Sequence, residues 1–381
     1  MSKNQLIPFI FGRIVDSPFF VNREKELDRL MTNLRSGINT ILISPRRWGK
    51  SSLVNKAVTQ LMSEEKEIRV CSLDLFNIRT EKEFYECFSR EVLKSTSMKW
   101  EEWLSNGKIF LKNIVPRFSV GADPINDFSV SLDVKPTSKS IEEILMLPER
   151  IAKAKKIRLI ICIDEFQNLS FYEKPLEFQK QLRASWQTQK NVCYCLFGSK
   201  RHMITDLFEN KSMPFYKFGD LMFLEKISSE HWIPYIVQSF KKTKKAIDKD
   251  AAEEIANAVQ NHPFFVQQLA QKTWVMTSSI AKYETVRDAL NELLQENSIL
   301  YLREVENLSN PQVNFLKAVL EKVDQFSSAE TLNKYGLGTS ANVPKIKTAL
   351  EQKEVLDFMG PYPAFIDPIF ELWLKRMYFK K

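Results

Sequence analysis

Four apolar runs of strand length, separated by stretches of helical periodicity, constrain this chain more than any other feature. NTILI at 39–43, IRVCSLDLF at 68–76, RLIICIDEF at 158–166 and VCYCLFGS at 192–199 are rich in the β-branched and aromatic residues that strands favour. Between and around them run amphipathic segments. Leu27, Leu30, Met31 and Leu34 share one helical face, and Leu53, Val54, Ala57, Val58, Leu61 and Met62 recur at helical spacing. EKEFYECFSREVLKS and EFQKQLRASWQTQ read as helices in the same way. Parallel strands need long crossovers and helices supply them, so the expected core is α/β with a parallel sheet.

At 381 residues the chain exceeds what one core sustains, since single cores stop growing near ~250 to 300 residues. Residues 1–224 are expected to form the α/β core. It carries an insertion at about 105–137 in which FSV at 118–120 and FSVSLDV at 128–134 alternate as a hairpin does. Residues 225–306 read as helical and glycine-poor, broken by Pro263. Residues 307–381 give three short helices and then an aromatic hairpin-like stretch, which is the order of a winged helix. A composition of 44% hydrophobic and 27% charged residues excludes disorder and collagen-like or low-complexity polymers.

The net charge of +8 suits an anionic partner, whether nucleotide phosphate, nucleic acid or an acidic surface. The five cysteines are odd in number and lack a CxxC pair, so they read as core thiols of a reducing compartment. No run reaches the ~18 apolar residues that span a bilayer, and the expected location is cytoplasmic, with no membrane contact. KKTKKAIDKD at 241–250 reads as a solvated helix face.

Directly after the first strand comes Ser44-Pro45-Arg46-Arg47-Trp48-Gly49-Lys50-Ser51-Ser52. The phosphate-loop pattern needs a turn whose N–H groups wrap the phosphates, a Lys for their oxygens and a hydroxyl for Mg²⁺. Gly49, Lys50 and Ser51 match it, while Ser44 replaces the first glycine and is expected to bring modest strain. A helix starting at Ser51 aims its positive end at the phosphates. An ordinary turn with a helix cap is the alternative. Asp164 and Glu165 close the apolar strand Leu159 to Ile163; such a pair serves to place Mg²⁺ and to polarise an attacking water, or else to cap a helix. Ser199, after Gly198, can reach a γ-phosphate or the water, or cap a helix.

Together these residues resemble the P-loop ATPases of the archaeal type, which belong with the AAA+ and STAND NTPases. FVNREKELDRL at 20–30 is similar to the family's adenine-side box, which implies Arg23 near the base. SPRRWGKSSL resembles its GPRRxGKTSL loop, LIICIDEFQNL its acidic strand, and LFGSKRHMI its sensor segment. Asn261-His262-Pro263 resembles the GxP turn of a helical lid, which implies Pro263 against the adenine, with Asn261 in place of a glycine. AFIDPIFELWLKR is similar to the closing strand and helix that follow the winged helix.

The resemblance implies ATP and Mg²⁺ as ligands. Lys50, Glu165 and Ser199 are then the catalytic set, with Ser51 and Asp164 on the metal and residues 44–52 on the nucleotide. Arg46 and Arg47 meet phosphate or a partner domain. Arg183 and Arg201 are candidate arginine fingers, with surface or ion-pair roles as the alternative. His202, His231 and His262 stand apart and support neither a metal site nor a triad. No Asn-Lys-x-Asp run is present to read guanine. Three functions remain: an ATPase, an ATP-gated regulator that contacts DNA or protein through the winged helix, and a scaffold that does not turn over. Residues 340–381 set seven Lys and Arg, among them Lys345 and Lys347, against five Asp and Glu, a weak footprint for DNA. An oligomer is compatible with any of the three.

Overall fold

The computed structural model describes residues 7–14, 20–97, 99–111, 116–119, 123, 127–132 and 138–380. They form two compact units, one from Arg23 to Glu225 and the other from Lys226 onward together with the described residues up to Asn22.

The first unit runs α1 (Glu24–Arg35), β1 (Thr40–Ile43), α2 (Lys50–Glu64), β2 (Ile68–Asp74), α3 (Glu81–Ser95), α4 (Trp100–Phe110), β3 (Pro116–Ser119), β4 (Ser129–Leu132), α5 (Ser138–Leu145), α6 (Leu147–Lys155), β5 (Arg158–Asp164), a 3₁₀ turn (Phe166–Phe171), α7 (Pro175–Trp186), β6 (Val192–Gly198), α8 (Arg201–Glu209) and β7 (Asp220–Phe223). Five strands make a parallel sheet in the order β2, β5, β6, β1, β7. Every residue of β1 and β6 is buried, so helices cover both faces, as all-parallel sheets require. α3 begins cleanly because Thr80 and Glu83 form a capping box.

The edge strand β7 was not legible in the sequence. Its four residues are of mixed burial, and it is held by tertiary bonds: Asp220 accepts from Arg29 Nε at 2.9 Å, Arg29 Nη2 at 2.7 Å and Asn33 Nδ2 at 2.7 Å. β3 and β4 pair antiparallel from Pro116 opposite Leu132 to Ser119 opposite Ser129. The start of the insertion is helical, because α4 extends to Phe110; its positions 112–115, 120–122, 124–126 and 133–137 lie outside the described residues.

The second unit runs α9 (Ser229–Lys242), β8 (Ala246–Ile247), α10 (Lys249–Ala258), α11 (Pro263–Met276), β9 (Ile280–Ala281), α12 (Tyr283–Glu306), α13 (Asn310–Leu320), α14 (Ala329–Tyr335), α15 (Asn342–Gln352), β10 (Leu356–Asp357), β11 (Ala364–Phe365) and α16 (Pro368–Trp373), which continues as a π turn to Tyr378. One apolar core runs from Trp232, Ile255 and Leu269 through Leu293 to Phe315, Leu350 and Phe370. The helical segment and the C-terminal segment thus share a core, although the sequence separates them at 306. Phe9 packs in the same core rather than with the sheet that follows it in the chain. The two segments share it because α12 is long enough for Leu290 and Leu293 to serve one end of the core while Tyr301 serves the other. The Tyr301 hydroxyl donates to Asp367 Oδ2 at 3.0 Å, and its ring centroid lies 5.1 Å from that of Phe370.

All five cysteines are buried as free thiols. Burial pushes the Cys193 thiol up to about 12 and raises those of Cys71 and Cys87 as well, which makes them inert packing groups. No described helix is long and apolar enough to cross a membrane.

Ile161, at the centre of β5, is fully buried. Ile161→Ala is expected to cost the first unit about 2–5 kcal/mol, the range for truncating a buried isoleucine, and to lower its urea unfolding midpoint by an amount that a denaturation curve reads directly.

Candidate functional site

The register of the sheet brings three separate loops to one edge. Ile43 of β1 pairs with Gly198 of β6, and Leu196 of β6 pairs with Ile163 of β5. The residues after β1, β5 and β6 therefore emerge together at the carboxyl ends of the strands, where open α/β sheets place their ligands.

After β1, the loop 44–49 leads into α2. Ser44 is buried, and its Oγ donates to the Pro45 carbonyl at 3.2 Å. The left-handed positions of the loop are Arg47, at φ 64°, and Gly49, at φ 91°; Ser44 is not among them. The strain expected from Ser44 thus sits at Arg47 instead, because the first loop position needs a small residue and not a glycine backbone. Lys50 is buried, and its Nζ donates to the carbonyls of Ser44 at 3.3 Å and Pro45 at 3.2 Å. Pro45 and Ser52 are buried, Trp48 is half-buried, and Arg46 and Arg47 are exposed. The first turn of α2 has neither an acidic residue nor a side-chain cap, so its positive end is not countered locally.

At the end of β5, Asp164 Oδ2 accepts from Ser51 Oγ at 3.1 Å, and Asp164 Oδ1 accepts from the Glu165 backbone at 2.8 Å. Burial raises the Asp164 pKa, and the neighbouring Glu165 carboxylate pushes the same way. The Glu165 N–H, Lys50 and Ser51 oppose them without prevailing. Glu165 itself is left-handed, at φ 52° and ψ 38°, and makes no side-chain cap to the turn it opens. Its Oε2 accepts from Ser199 Oγ at 3.1 Å and also from Gln167 Nε2. Arg46 Nε donates to Ser199 Oγ at 3.3 Å, which links the first loop to the third. Ser199 does not cap α8, whose N-cap is Lys200.

The remaining candidates stand elsewhere. Arg23 is buried at the start of α1, donating from Nη1 to Glu26 at 2.7 Å and from Nη2 to the Glu225 carbonyl at 2.6 Å. Pro263 opens α11 in the second unit, after Asn261 at φ 59°. That left-handed position explains why a glycine of the resembled turn can become Asn here, since Asn tolerates the region better than other side chains. Arg183 stacks its guanidinium 4.8 Å from the Phe218 ring centroid, and burial lowers its pKa. Arg201 is the first residue of α8, half-buried.

Two residues escaped sequence reasoning. Gln167 is fully buried beside Glu165, and Gly198 lies against it. No residue type announces that contact, because it depends on the left-handed turn at Glu165.

The profile of an ATPase domain predominantly from Archaea matches residues 20–269. The chain belongs to that archaeal-type ATPase family. Among solved structures, the Walker-type ATPase of Pyrococcus abyssi is similar at 15% identity and a TM-score of 0.66, over 97% of this chain and 99% of that one. The Orc1 protein of Aeropyrum pernix, solved in complex with DNA, is similar at 12% identity and a TM-score of 0.51, over 98% and 97% of the two chains. The Orc2 protein of Aeropyrum pernix in its ADP form reaches 14% identity and a TM-score of 0.51, over 92% and 90%. At such identities the likeness speaks for the fold, a P-loop ATPase core on a parallel sheet. No curated protein matches the sequence.

The raised pKa of Asp164 has a stability consequence. A carboxyl whose folded pKa lies above its unfolded value is penalised once pH exceeds the folded pKa, and the penalty is absent below the unfolded one. In chelator and without nucleotide, Asp164→Asn is therefore expected to raise the melting temperature at neutral pH. The gain should fade as the pH falls through the carboxylate range, which thermal melts across that range will show.

Proposed function

We propose that this ATPase-family protein binds ATP with Mg²⁺ and hydrolyses it as a nucleotide-driven conformational switch. The observation that carries the reading is the 3.1 Å bond from Ser51 Oγ to Asp164 Oδ2 with the Glu165 carboxylate beside it. A hydroxyl and a carboxylate in contact are a hard-oxygen pair of the kind Mg²⁺ selects, so the residues fit the ion. When bound, the ion supplies neutralisation of charge on the phosphate oxygens.

Residues 44–52 wrap the phosphates with their backbone, and Lys50 exchanges its two loop carbonyls for phosphate oxygens. Phosphate oxygens carry the negative charge that the carbonyls lack, so the ammonium gains direct ionic attraction in the exchange. Arg46 and Arg47, exposed in the same loop, add positive charge. Glu165 orients a water and accepts its proton while Ser199 steadies the carboxylate. Arg23 belongs to the adenine side on the strength of the family resemblance.

A second reading is an ATP-gated regulator with little turnover that contacts DNA or protein. Its support is the order α13, α14, α15 and then the antiparallel β10–β11 pair, a winged-helix order, together with the likeness to an Orc1 protein solved with DNA. The surface favours protein over DNA. On α15, Lys347 is drawn over the rings of Phe326 at 5.4 Å and Phe358 at 5.8 Å, and the loop between β10 and β11 exposes Met359 and Tyr362 rather than cations.

Phosphate release with ATP and Mg²⁺ tests both readings. Glu165→Gln is expected to lower turnover by about 10²- to 10⁴-fold, the usual share of a general base, while ATP binding by calorimetry persists. Lys50→Ala should lose both. Tight ATP binding by the wild-type protein with no phosphate release, and turnover unmoved by duplex DNA, would leave the protein-directed switch as the reading that stands.

A further inference from the structure

We infer that Gln167 is a positioning residue for Glu165, and that Gly198 is glycine in order to admit it. The inference rests on the reading of Glu165 as the residue that activates water. Gln167 Nε2 and Ser199 Oγ both donate to Oε2 of Glu165. With two donors on one oxygen, the rotamer of the carboxylate is set and its Oε1 is the atom left to face a water. A flexible glutamate on a left-handed backbone, at φ 52°, needs such fixing to present one oxygen reproducibly.

The orientation of Gln167 follows from chemistry. A carboxylate only accepts, so the amide must turn its nitrogen to Glu165 and its oxygen the other way. That oxygen, Oε1, is buried without a hydrogen-bond partner among the described residues, in a side chain that is 0% exposed. A residue present only to fill space would not carry an orphaned acceptor, because an apolar side chain fills the same volume without one. The amide is retained for what its nitrogen does.

Gly198 supplies the second, independent observation. A Cβ there would stand 1.9 Å from Gln167 Oε1 and 3.0 Å from its Cδ. Gly198 is not left-handed, so its backbone does not call for glycine; the Gln167 side chain does, with Ile204 Cδ1 at 3.2 Å a lesser obstacle.

The test compares Gln167→Leu, Gln167→Ala, Gly198→Ala and the Gln167→Ala/Gly198→Ala double variant with wild type and Glu165→Gln, reading kcat, KM, ATP affinity and melting temperature. Loss of a positioning bond to a charged group is expected to lower kcat about 10- to 100-fold in Gln167→Leu with KM and ATP affinity within about twofold of wild type. Its melting temperature should be equal or higher, because the orphaned oxygen is gone; a purely structural glutamine would show the opposite. Gly198→Ala should lower kcat by displacing Gln167; in the double variant, where the amide is gone and the Ile204 methyl 3.2 Å away need give only slightly, it should add little to Gln167→Ala. Hydrolysis that Glu165→Gln abolishes and Gln167→Leu and Gln167→Ala leave untouched overturns this inference alone. A matching rise in KM, or a loss of stability that accounts for the lost turnover, overturns it as well. Absence of turnover in the wild-type protein overturns it together with the reading of Glu165.

Discussion

The parallel ladder that joins β5, β6 and β1 sets Ile43 beside Gly198 and Leu196 beside Ile163, and each functional loop begins within two residues of those pairs. Backbone hydrogen bonds thus do the work of bringing together residues 44–51, 164–167 and 198–199. Side chains alternate along a strand, so a slip of β5 by one residue would carry Asp164 to the opposite face and leave Ser51 opposite Ile163. Burial of Leu159 to Ile163 in β5 opposes such a slip, since it would exchange packed faces along the whole strand. The apolar sheet is therefore what fixes the polar site.

Conformational costs gather at that edge. Arg47 and Glu165 hold left-handed backbones that side chains disfavour, at about 1–3 kcal/mol each. Asp164 is buried deeply enough to raise its pKa, and Gln167 carries an unpaired oxygen. None of these is needed to close the core, where aromatic rings such as Trp186 and Tyr194 stack at 4.1 Å. A fold relieved of them would be more stable and, on the proposed reading, less able to hold water, metal and phosphate in one geometry, which is the common tension between stability and activity.

Legibility followed contiguity. Strand, phosphate loop and helix lie next to one another in the sequence, and the periodic apolar runs of β1, β2, β5 and β6 declare themselves without tertiary help. The strand β7 does not, because Asp220 is anchored by Arg29 and Asn33 from a segment far away in the chain. The shared core of the second unit was hidden for a related reason. α12 continues unbroken through residue 306, and the capping box that marks the next start, at Ser309 and Gln312, signals a helix and not a domain boundary. Ser44 shows the limit of pattern reading from the other side: the pattern asks for glycine at a place where this backbone is ordinary.

The two donors on Glu165 differ in what they answer to. Ser199 is tied to the phosphate loop through Arg46, so a phosphate oxygen that attracts the guanidinium competes with Ser199 for it. Gln167 is lodged against Gly198 in the body of the sheet and comes from the same turn as Glu165 itself. On the proposed reading, a change in the loop would reach the carboxylate through Ser199, while Gln167 would limit how far it follows. On that reading, a glutamate held by one donor tied to the loop and another that is not would respond to nucleotide without losing its aim. That division requires an amide at 167 and no side chain at 198, the combination this chain has.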